Sequence, residues 1–392
     1  MIEAMNIPKL RFPEFQDIWA SDNLISLSKV KMSNGVFNDP KKVGSGYRLI
    51  NVKDMYIDRK IDIDTLTFLE LDKTEFERNK AAWGDVFFTR SSLVKEGIAF
   101  SNIYVDTFED VTYDGHLVRM RPNQDIVGTF FLSYLLKTSL SRKQLILRGK
   151  TTTMTTIGQE DISTVVVSYP TKPEQTKIAA FLTSVDTKIE QLAKKQELLS
   201  EYKKGLMEKI FSQDILFKAD DGSNFPDWEE RRLGDVLSSI STRPHQVKSS
   251  NILEDGMYKV VDQGKKELAG YTNKKDKLLI NDGVIVYGDH TTIAKFIDYD
   301  FVVGADGVKL LTSNINNIKY LYFNLVFNNV EPEGYKRHFS ILKNVILQIP
   351  SLQEQTKIAN FLSSIDCKIK QVGKQLDESK QFKKALLQQM FV

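Results

Sequence analysis

The sequence contains a single cysteine, Cys367, and only four histidines. One thiol excludes a disulfide framework and any zinc or iron–sulfur site that needs several cysteines. The histidines (His116, His245, His290 and His338) lie far apart and show none of the short spacings typical of metal ligands. No run of 18 apolar residues is present, and the first residues lack the apolar core of a signal peptide. We therefore expect a soluble protein of a reducing, cytoplasmic compartment.

An excess of one charge is also missing, because 54 Lys and Arg residues against 51 Asp and Glu residues give a formal net charge of +3. This balance neither requires nor excludes nucleic acid as a partner, so any basic surface must be local. The chain has 392 residues, of which 41% are apolar and 27% charged. That composition is typical of globular proteins, and the length is sufficient for two domains.

A long internal repeat dominates the sequence. Residues 174–211 and 354–391 align at an offset of 180 without a gap, and nearly half of their positions are identical. A period of this length excludes a solenoid and indicates a duplication. Each half of the chain is therefore predicted to be a globular unit followed by one long helix.

Apolar residues in both copies of the repeat follow alternating steps of four and three, which is the pattern of a coiled-coil seam. Antiparallel pairing of the two copies is the simplest arrangement, and a homodimeric bundle is the alternative. Lys203 and Lys383 interrupt the seam at matching positions, which indicates either a fixed register or a solvated end. Residues 171–174 and 351–354 predict a capping box at the start of each helix. The predicted seam residues are Ile178, Leu182, Val185, Ile189, Leu192, Leu199, Leu206, Ile210, Ile358, Leu362, Ile365, Ile369, Val372, Leu376, Leu386 and Met390.

The globular units are related to each other as well, although more distantly. Residues 83–92 and 281–290 each run from a turn into a short apolar strand, and each unit has a later apolar helical stretch. Each unit then ends in a strand that stops at a proline, Pro170 or Pro350. Short strands mixed with a few helices predict an α+β fold.

The order of these motifs resembles the specificity subunit of type I restriction–modification enzymes over essentially the whole chain. An EQxKIAxFL helix is followed by FPxWExRxLGDV and then by a second EQxKIAxFL helix. The resemblance implies two globular α/β target recognition domains and two long helices that form an antiparallel coiled coil with pseudo-twofold symmetry. We place the first recognition domain at residues 1–170, the central helix and linker at 171–214, the second domain at 215–350 and the C-terminal helix at 351–392.

The resemblance also implies a function. Each domain would read one half of a bipartite site in double-stranded DNA, while the helices fix the spacer and dock two adenine methyltransferase subunits. Restriction and translocase subunits would join the full complex. The subunit itself would hold no cofactor, since S-adenosylmethionine and ATP with Mg belong to the partners. The alternatives are an orphan specificity subunit, or a coiled-coil scaffold whose two domains bind ligands other than DNA.

The absence of complete catalytic motifs supports a role without catalysis. An adenine methyltransferase needs a (D/N)PP(Y/F) motif, and the sequence contains no Pro-Pro pair. Residues 148–153 (RGKTTT) resemble a phosphate loop but lack its first glycine. The pairs at 186–188 and 366–368 (Asp-x-Lys) resemble half of a nuclease motif, and we interpret them as a solvated helix face.

Candidate DNA contacts are exposed turns rich in Arg, Lys, His and hydroxyl groups, because phosphates and base edges need such donors. For each residue the alternative is an ordinary solvated loop. The candidates are Arg90, Ser91, Ser92, Arg148, Lys150, Thr151 and Thr152 in the first unit, and Thr242, Arg243, His290, Thr291, Thr292, Lys336, Arg337 and His338 in the second.

Overall fold

The computed structural model describes residues 7–57, 60–304, 306–334 and 336–392. The chain divides into two compact units, which we call unit 1 (residues 1–193 and 374–392) and unit 2 (residues 194–373). Each unit combines one globular α/β domain with half of either long helix. The units therefore divide the chain differently from the four segments placed above, and the mixed helix and strand content confirms the predicted α+β class.

Unit 1 contains a four-stranded antiparallel sheet in the order β2-β9-β5-β7, a three-stranded sheet β4-β3-β8, a small sheet β10-β11-β6 and the pair β1-β12. Its strands are β1 (Ala20–Asn23), β2 (Ser33–Asn34), β3 (Val43–Ile50), β4 (Thr67–Leu69), β5 (Val86–Thr89), β6 (Ser91–Ser92), β7 (Ser101–Ile103), β8 (Val111–Tyr113), β9 (Leu117–Met120), β10 (Lys150–Thr151), β11 (Thr155–Thr156) and β12 (Val166–Tyr169). Its helices are α1 (Lys73–Asn79), α2 (Thr129–Leu135), α3 (Ser139–Arg148), α4 (Gln159–Ser163) and the first half of α5 (Lys172–Phe211).

Unit 2 has its own four-stranded antiparallel sheet, β14-β21-β18-β19, together with a mixed sheet β15-β20-β16-β17 and the pair β13-β22. Its strands are β13 (Glu229–Arg232), β14 (Ser238–Ile240), β15 (Gln246–Val247), β16 (Tyr258–Val261), β17 (Gly270–Thr272), β18 (Val284–Gly288), β19 (Ala294–Ile297), β20 (Val302–Gly304), β21 (Val308–Thr312) and β22 (Ile346–Ile349). Its helices are α6 (Leu233–Val236), α7 (Ile318–Phe327), α8 (Phe339–Leu342) and the first half of α9 (Leu352–Gln389).

Strands β5 and β18 occupy the same place in the two units and are buried on both faces. Val86 and Phe88 of β5 pack into the core that includes α2 and the start of α5, while Phe87 packs into a second core on the other face. In β18, Ile285 and Tyr287 pack into the core that includes α7, whereas residues 284 and 286 pack into another core on the opposite face of the strand. Burial of both faces explains why these strands are apolar runs and not alternating patterns.

The long helices pair in antiparallel orientation. In unit 1, Asp186 of α5 forms an ion pair with Lys383 of α9, and in unit 2, Lys203 of α5 forms one with Asp366 of α9. The α9 residue number falls as the α5 residue number rises, as antiparallel pairing requires. All sixteen predicted seam residues are buried or half-buried. The outer seam residues, such as Leu182 with Leu386, also join the globular cores, so the seam is shared between helix pairing and domain packing.

The ion pairs of the seam correct our interpretation of the Asp-x-Lys pairs as a solvated face. Asp186 is 5% exposed, its Oδ1 lies 2.6 Å from Lys383 Nζ, and the Tyr134 hydroxyl donates a 2.7 Å hydrogen bond to its other oxygen. Asp366 Oδ1 lies 2.6 Å from Lys203 Nζ, with 30% of its side chain exposed. These ion pairs support a fixed register, because a shift of either helix would leave a partly buried charge without a partner.

Two buried glutamines, Gln175 and Gln355, join each domain to the start of its helix. Gln175 accepts from the Gly128 amide at 2.9 Å and donates to the carbonyls of Ile126 and Pro170. Gln355 accepts from the amide of residue 317 at 2.8 Å and donates to the carbonyl of residue 350 and the side-chain oxygen of residue 316. Because each glutamine satisfies backbone groups of two elements, its repetition in both copies has a structural reason.

The glutamates next to these glutamines correct the predicted capping boxes. The Glu174 carboxylate accepts two 2.8 Å hydrogen bonds from the Arg11 guanidinium, and Glu354 accepts from Trp228 Nε1 at 3.1 Å. Burial raises the pKa of Glu354, while the Trp228 hydrogen bond opposes that rise. At the second helix the Ser351 hydroxyl does accept from the residue 354 amide, at 3.4 Å. The two carboxylates therefore bind the chain segments around Arg11 and Trp228, which precede β1 and β13, to the long helices. They do not act as the helix caps that the sequence predicts.

Candidate nucleic-acid interface

In unit 1, strand pairing brings two candidate segments that are far apart in the sequence onto one small sheet. β11 pairs with β6 on one side and with β10 on the other, so Ser91 and Ser92 lie beside Thr155 and Thr156, and these lie beside Lys150 and Thr151. Lys150 is 77% exposed, with Asp161 Oδ2 3.5 Å from its ammonium group. The sheet thus displays hydroxyl groups and a cation on one edge of the domain, which suits phosphate contact.

The arginines beside this sheet are held by backbone carbonyls. Arg90 is exposed, and its guanidinium donates to the Gly115 carbonyl at 3.1 Å. Arg148 is half-buried and donates to Thr164 and to the Gln144 carbonyl, which uses three of its nitrogens. Arg148 is therefore a brace between α3 and the loop after α4, and a direct DNA contact is better suited to Arg90.

In unit 2, a polar cavity of about 600 Å³ brings together four of the candidates from three separate segments. They are Thr242, Arg243, His290 and Arg337. The remaining lining residues, which the sequence analysis missed, are Gln246, Asp289, Asp306, Gly307, Val308 and Lys309. Asp289 directly precedes the candidate His290, so its place in the sequence could have identified it. The other residues reach the cavity only through the strand pairing that involves β15, β20 and β21.

The cavity combines cations with hydrogen-bond acceptors. Asp289 is buried, its Oδ1 accepts from the residue 339 amide at 2.9 Å, and its Oδ2 lies 3.9 Å from Lys309 Nζ. Asp306 Oδ1 accepts from the side-chain Nε2 of Gln246 at 2.9 Å. Gly307 has a φ of 84°, and a Cβ atom there would lie 2.8 Å from the His290 ring. Base edges present both donors and acceptors, so a mixed set of this kind can discriminate bases as well as hold phosphates.

The structure corrects two candidates of unit 2, Thr292 and His338. His338 is fully buried, its Nδ1 lies 3.0 Å from the Asp289 carbonyl oxygen, and its Nε2 accepts from the Glu333 amide at 2.9 Å. Thr292 is 7% exposed and adopts a left-handed φ of 57° in the turn after β18. A buried imidazole with both nitrogens engaged cannot reach DNA, and the Thr292 side chain is buried as well. Both residues therefore shape the loops that carry the exposed candidates.

The remaining candidates of both units stay predictions. Thr291 is half-buried, and its hydroxyl donates to the Gln263 carbonyl at 2.7 Å. Lys336 is exposed and pairs with Glu333 at 2.8 Å. Thr152 is exposed at the turn between β10 and β11. Within the part of the chain that the structure describes, no group of three or more His, Cys, Asp and Glu residues could hold a metal ion.

Comparison with known proteins decides the family. The type I restriction modification DNA specificity domain matches twice, at residues 86–200 and 226–378. This chain belongs to that family. One match falls in each half of the chain, and each covers a part of the globular unit together with the first part of the long helix that follows it. Among the helices of the described residues, none is sufficiently long and apolar to span a membrane.

Relatives in this specificity family cover nearly the whole chain. The putative type I restriction enzyme MjaX specificity subunit of Methanocaldococcus jannaschii is 25% identical over 408 residues, covering 97% of this chain and 95% of its own. A crystal structure of the S subunit of a type I restriction-modification system from M. genitalium covers 98% of this chain and 99% of its own, with a TM-score of 0.64 at 16% identity. A structure from work on complex assembly and conformational transition of the type I R-M system covers 94% and 96%, with a TM-score of 0.50 and 16% identity.

The two arginines of the unit 2 cavity give a direct test of the proposed contacts. We expect Arg243→Ala and Arg337→Ala each to weaken binding of the second half-site roughly tenfold, since a lost arginine contact to a base or phosphate removes about 1–3 kcal/mol. Arg231→Ala is the matched control, because Arg231 is exposed on β13 and does not line the cavity. Equal effects of all three substitutions would show a general loss of positive charge and would contradict a specific contact in the cavity.

Proposed function

We propose that this chain is the non-catalytic DNA-specificity subunit of a type I restriction–modification complex. Each globular domain reads one half of a bipartite site in double-stranded DNA, and α5 with α9 fixes the spacer between the halves. The observation that carries this proposal is the duplication. Two related domains each display a polar surface beyond the end of an equivalent central strand, β5 or β18, and each is joined to its own copy of the same helix.

We propose further that catalysis resides in partner subunits in the cytoplasm. Two adenine methyltransferase subunits would bring S-adenosylmethionine, and restriction subunits would bring ATP and Mg. An apolar groove of about 570 Å³ between α2 and the start of α5 supports docking of a protein partner, since it exposes Trp83 and Phe130 beside the small side chains of Ala179 and Ala180. In the second helix copy, positions 359, 363 and 364 are small like their equivalents 179, 183 and 184, whereas Asn360 replaces Ala180, so the repeat preserves only part of this groove.

If the methyltransferase subunits supply some of the DNA contacts, this chain alone binds DNA weakly; we call this the division of contacts. We expect the isolated chain to bind its site with low affinity and with a steep dependence on salt, because phosphate contacts release counterions and the net charge is only +3. Titration of a labelled duplex at several salt concentrations, with and without the methyltransferase subunits, measures this. Tight and sequence-specific binding by the chain alone would contradict the division.

Methylation mapping tests the function itself. We would sequence, by a single-molecule method that detects modified bases, the DNA of cells expressing this chain together with a candidate methyltransferase subunit. We expect a bipartite adenine-methylated motif that is absent when this chain is omitted. A complex that forms in a pull-down but produces no new motif would contradict DNA reading and favour a scaffold whose domains bind other ligands.

A further inference from the structure

Four exposed apolar side chains meet on unit 1 where the small sheet ends, and we call them the apolar tip. They are Tyr56, Leu93, Val94 and Met154, and they line a shallow cavity of about 320 Å³ together with Ser91 and Ser92. Leu93 is 87% exposed and Val94 61% exposed. Contiguous exposed apolar groups are uncommon on a domain surface and mark a place of contact. The unit 2 cavity, in contrast, is lined mainly by polar and charged groups.

The loop that carries Leu93 and Val94 of the tip is held in place by a charged side chain. The Arg142 guanidinium, on α3, donates to the carbonyls of Glu96, Ile98 and Ala99 at 2.6–2.8 Å. Burial lowers the pKa of Arg142, so the loop is tied down by a partly desolvated cation. The Val94 amide also donates to the Ser92 hydroxyl at 3.3 Å. An apolar loop fixed in this way is ready for contact without further ordering, which favours tight binding.

The surroundings of the tip indicate what it contacts. Lys95 directly follows Leu93 and Val94 and is exposed. Lys150 lies on the adjoining small sheet with the hydroxyl groups of β6 and β10. Glu96 is the exposed carboxylate of this loop. Cations and hydroxyls around an apolar centre complement duplex DNA, which presents phosphates at the groove edges and one apolar group in the major groove. That group is the C5-methyl of thymine.

We propose that the apolar tip reads thymine methyl groups in the major groove of the half-site bound by unit 1. This inference rests on the proposed function and specifies how unit 1 discriminates bases. Leu93, as the most exposed of the described large apolar residues, makes the first contact, while Val94 and Met154 exclude water around it.

The test replaces thymine by deoxyuridine, which lacks only the C5-methyl group. In the complex with the methyltransferase subunits, each thymine of the unit 1 half-site is replaced in turn and the affinity for the duplex is measured. We expect one or two replacements to weaken binding about fourfold, which corresponds to about 0.8 kcal/mol for a buried methyl group. Leu93→Asn should weaken binding to the thymine duplex by a similar factor and have no further effect on the deoxyuridine duplex, while Leu93→Met should retain the preference.

The controls separate this inference from the function on which it rests. Ile18→Asn changes another exposed apolar residue of unit 1, which is 67% exposed and outside the tip, and should leave the thymine preference unchanged. A wild-type complex that methylates no bipartite site contradicts the proposed function. With that function intact, the inference is overturned by deoxyuridine without effect, by Leu93→Asn weakening both duplexes equally, or by Leu93→Asn releasing the methyltransferase subunits, which would make the tip a protein contact.

Discussion

Exchange of residues 216–350 for the corresponding segment of another family member is expected to replace one half of the methylated sequence completely and to leave the other half intact. The segment contains every strand and sheet of unit 2, from β13 to β22, together with α6, α7 and α8. Its ends lie in the linker after α5 and immediately before α9, so both long helices remain native. The new half-site therefore depends on the grafted domain alone, and methylation mapping of cells that express the hybrid measures it.

A reciprocal exchange is the matched control for the first hybrid. Replacement of residues 7–170 should change the half-site that the first hybrid leaves intact and should keep the original spacer. This pair of hybrids also assigns each half-site to a unit, as the deoxyuridine experiment requires. A change of both half-sites in either hybrid would contradict independent reading by the two domains.

Removal of one lysine from the helix seam is expected to have a large effect on local stability, and the effect should differ between the two ion pairs. Lys383→Met leaves the 5% exposed Asp186 without its partner, at a cost of about 3 kcal/mol, whereas Lys203→Met leaves an aspartate that is 30% exposed and can be hydrated, at roughly 1 kcal/mol. Peptide-level hydrogen exchange across α5 resolves both sites. Amides around residue 186 should exchange about a hundredfold faster in Lys383→Met.

The charge-free double variant distinguishes a lost charge partner from lost packing. Asp186→Asn combined with Lys383→Met removes both charges, and an asparagine can still accept from the Tyr134 hydroxyl. We therefore expect protection to return to near the wild-type level, because the penalty of Lys383→Met comes from an unpaired buried carboxylate. Equal exchange in the single and double variants would show that the lysine acts through its aliphatic stem instead.

Repetition within the sequence predicted the large features of the fold. The 180-residue offset identified both long helices, and the paired strand and helix motifs identified β5 with β18 and α2 with α7. These features are local in sequence, so periodicity and turn residues are sufficient to find them. The same logic failed for Asp186, because a helix-face argument cannot include a partner that lies almost two hundred residues further along the chain.

The candidate surfaces were predicted only in part, for a related reason. Exposed turns with cations and hydroxyls were visible in the sequence, but their grouping depends on pairings such as β6 with β11, which join residues 60 or more positions apart. His338 is of a residue type that can contact DNA, but it lies in the core, since its ring is buried between two backbone partners. The apolar tip was missed because a search for polar DNA contacts passes over leucine and valine.

The two seam ion pairs also have a consequence for how the helix pair responds to dilution. Asp186 and Lys203 lie on one helix, and Asp366 and Lys383 lie at the same spacing on the other, so each helix carries both members of a self-complementary pattern. Two such helices on separate chains would associate only above a concentration set by their affinity. The peptide chain between α5 and α9 makes the same association intramolecular, with an effective concentration that does not depend on the number of molecules in the cell. The fused chain therefore keeps its helices paired at the low copy numbers at which separate halves would come apart.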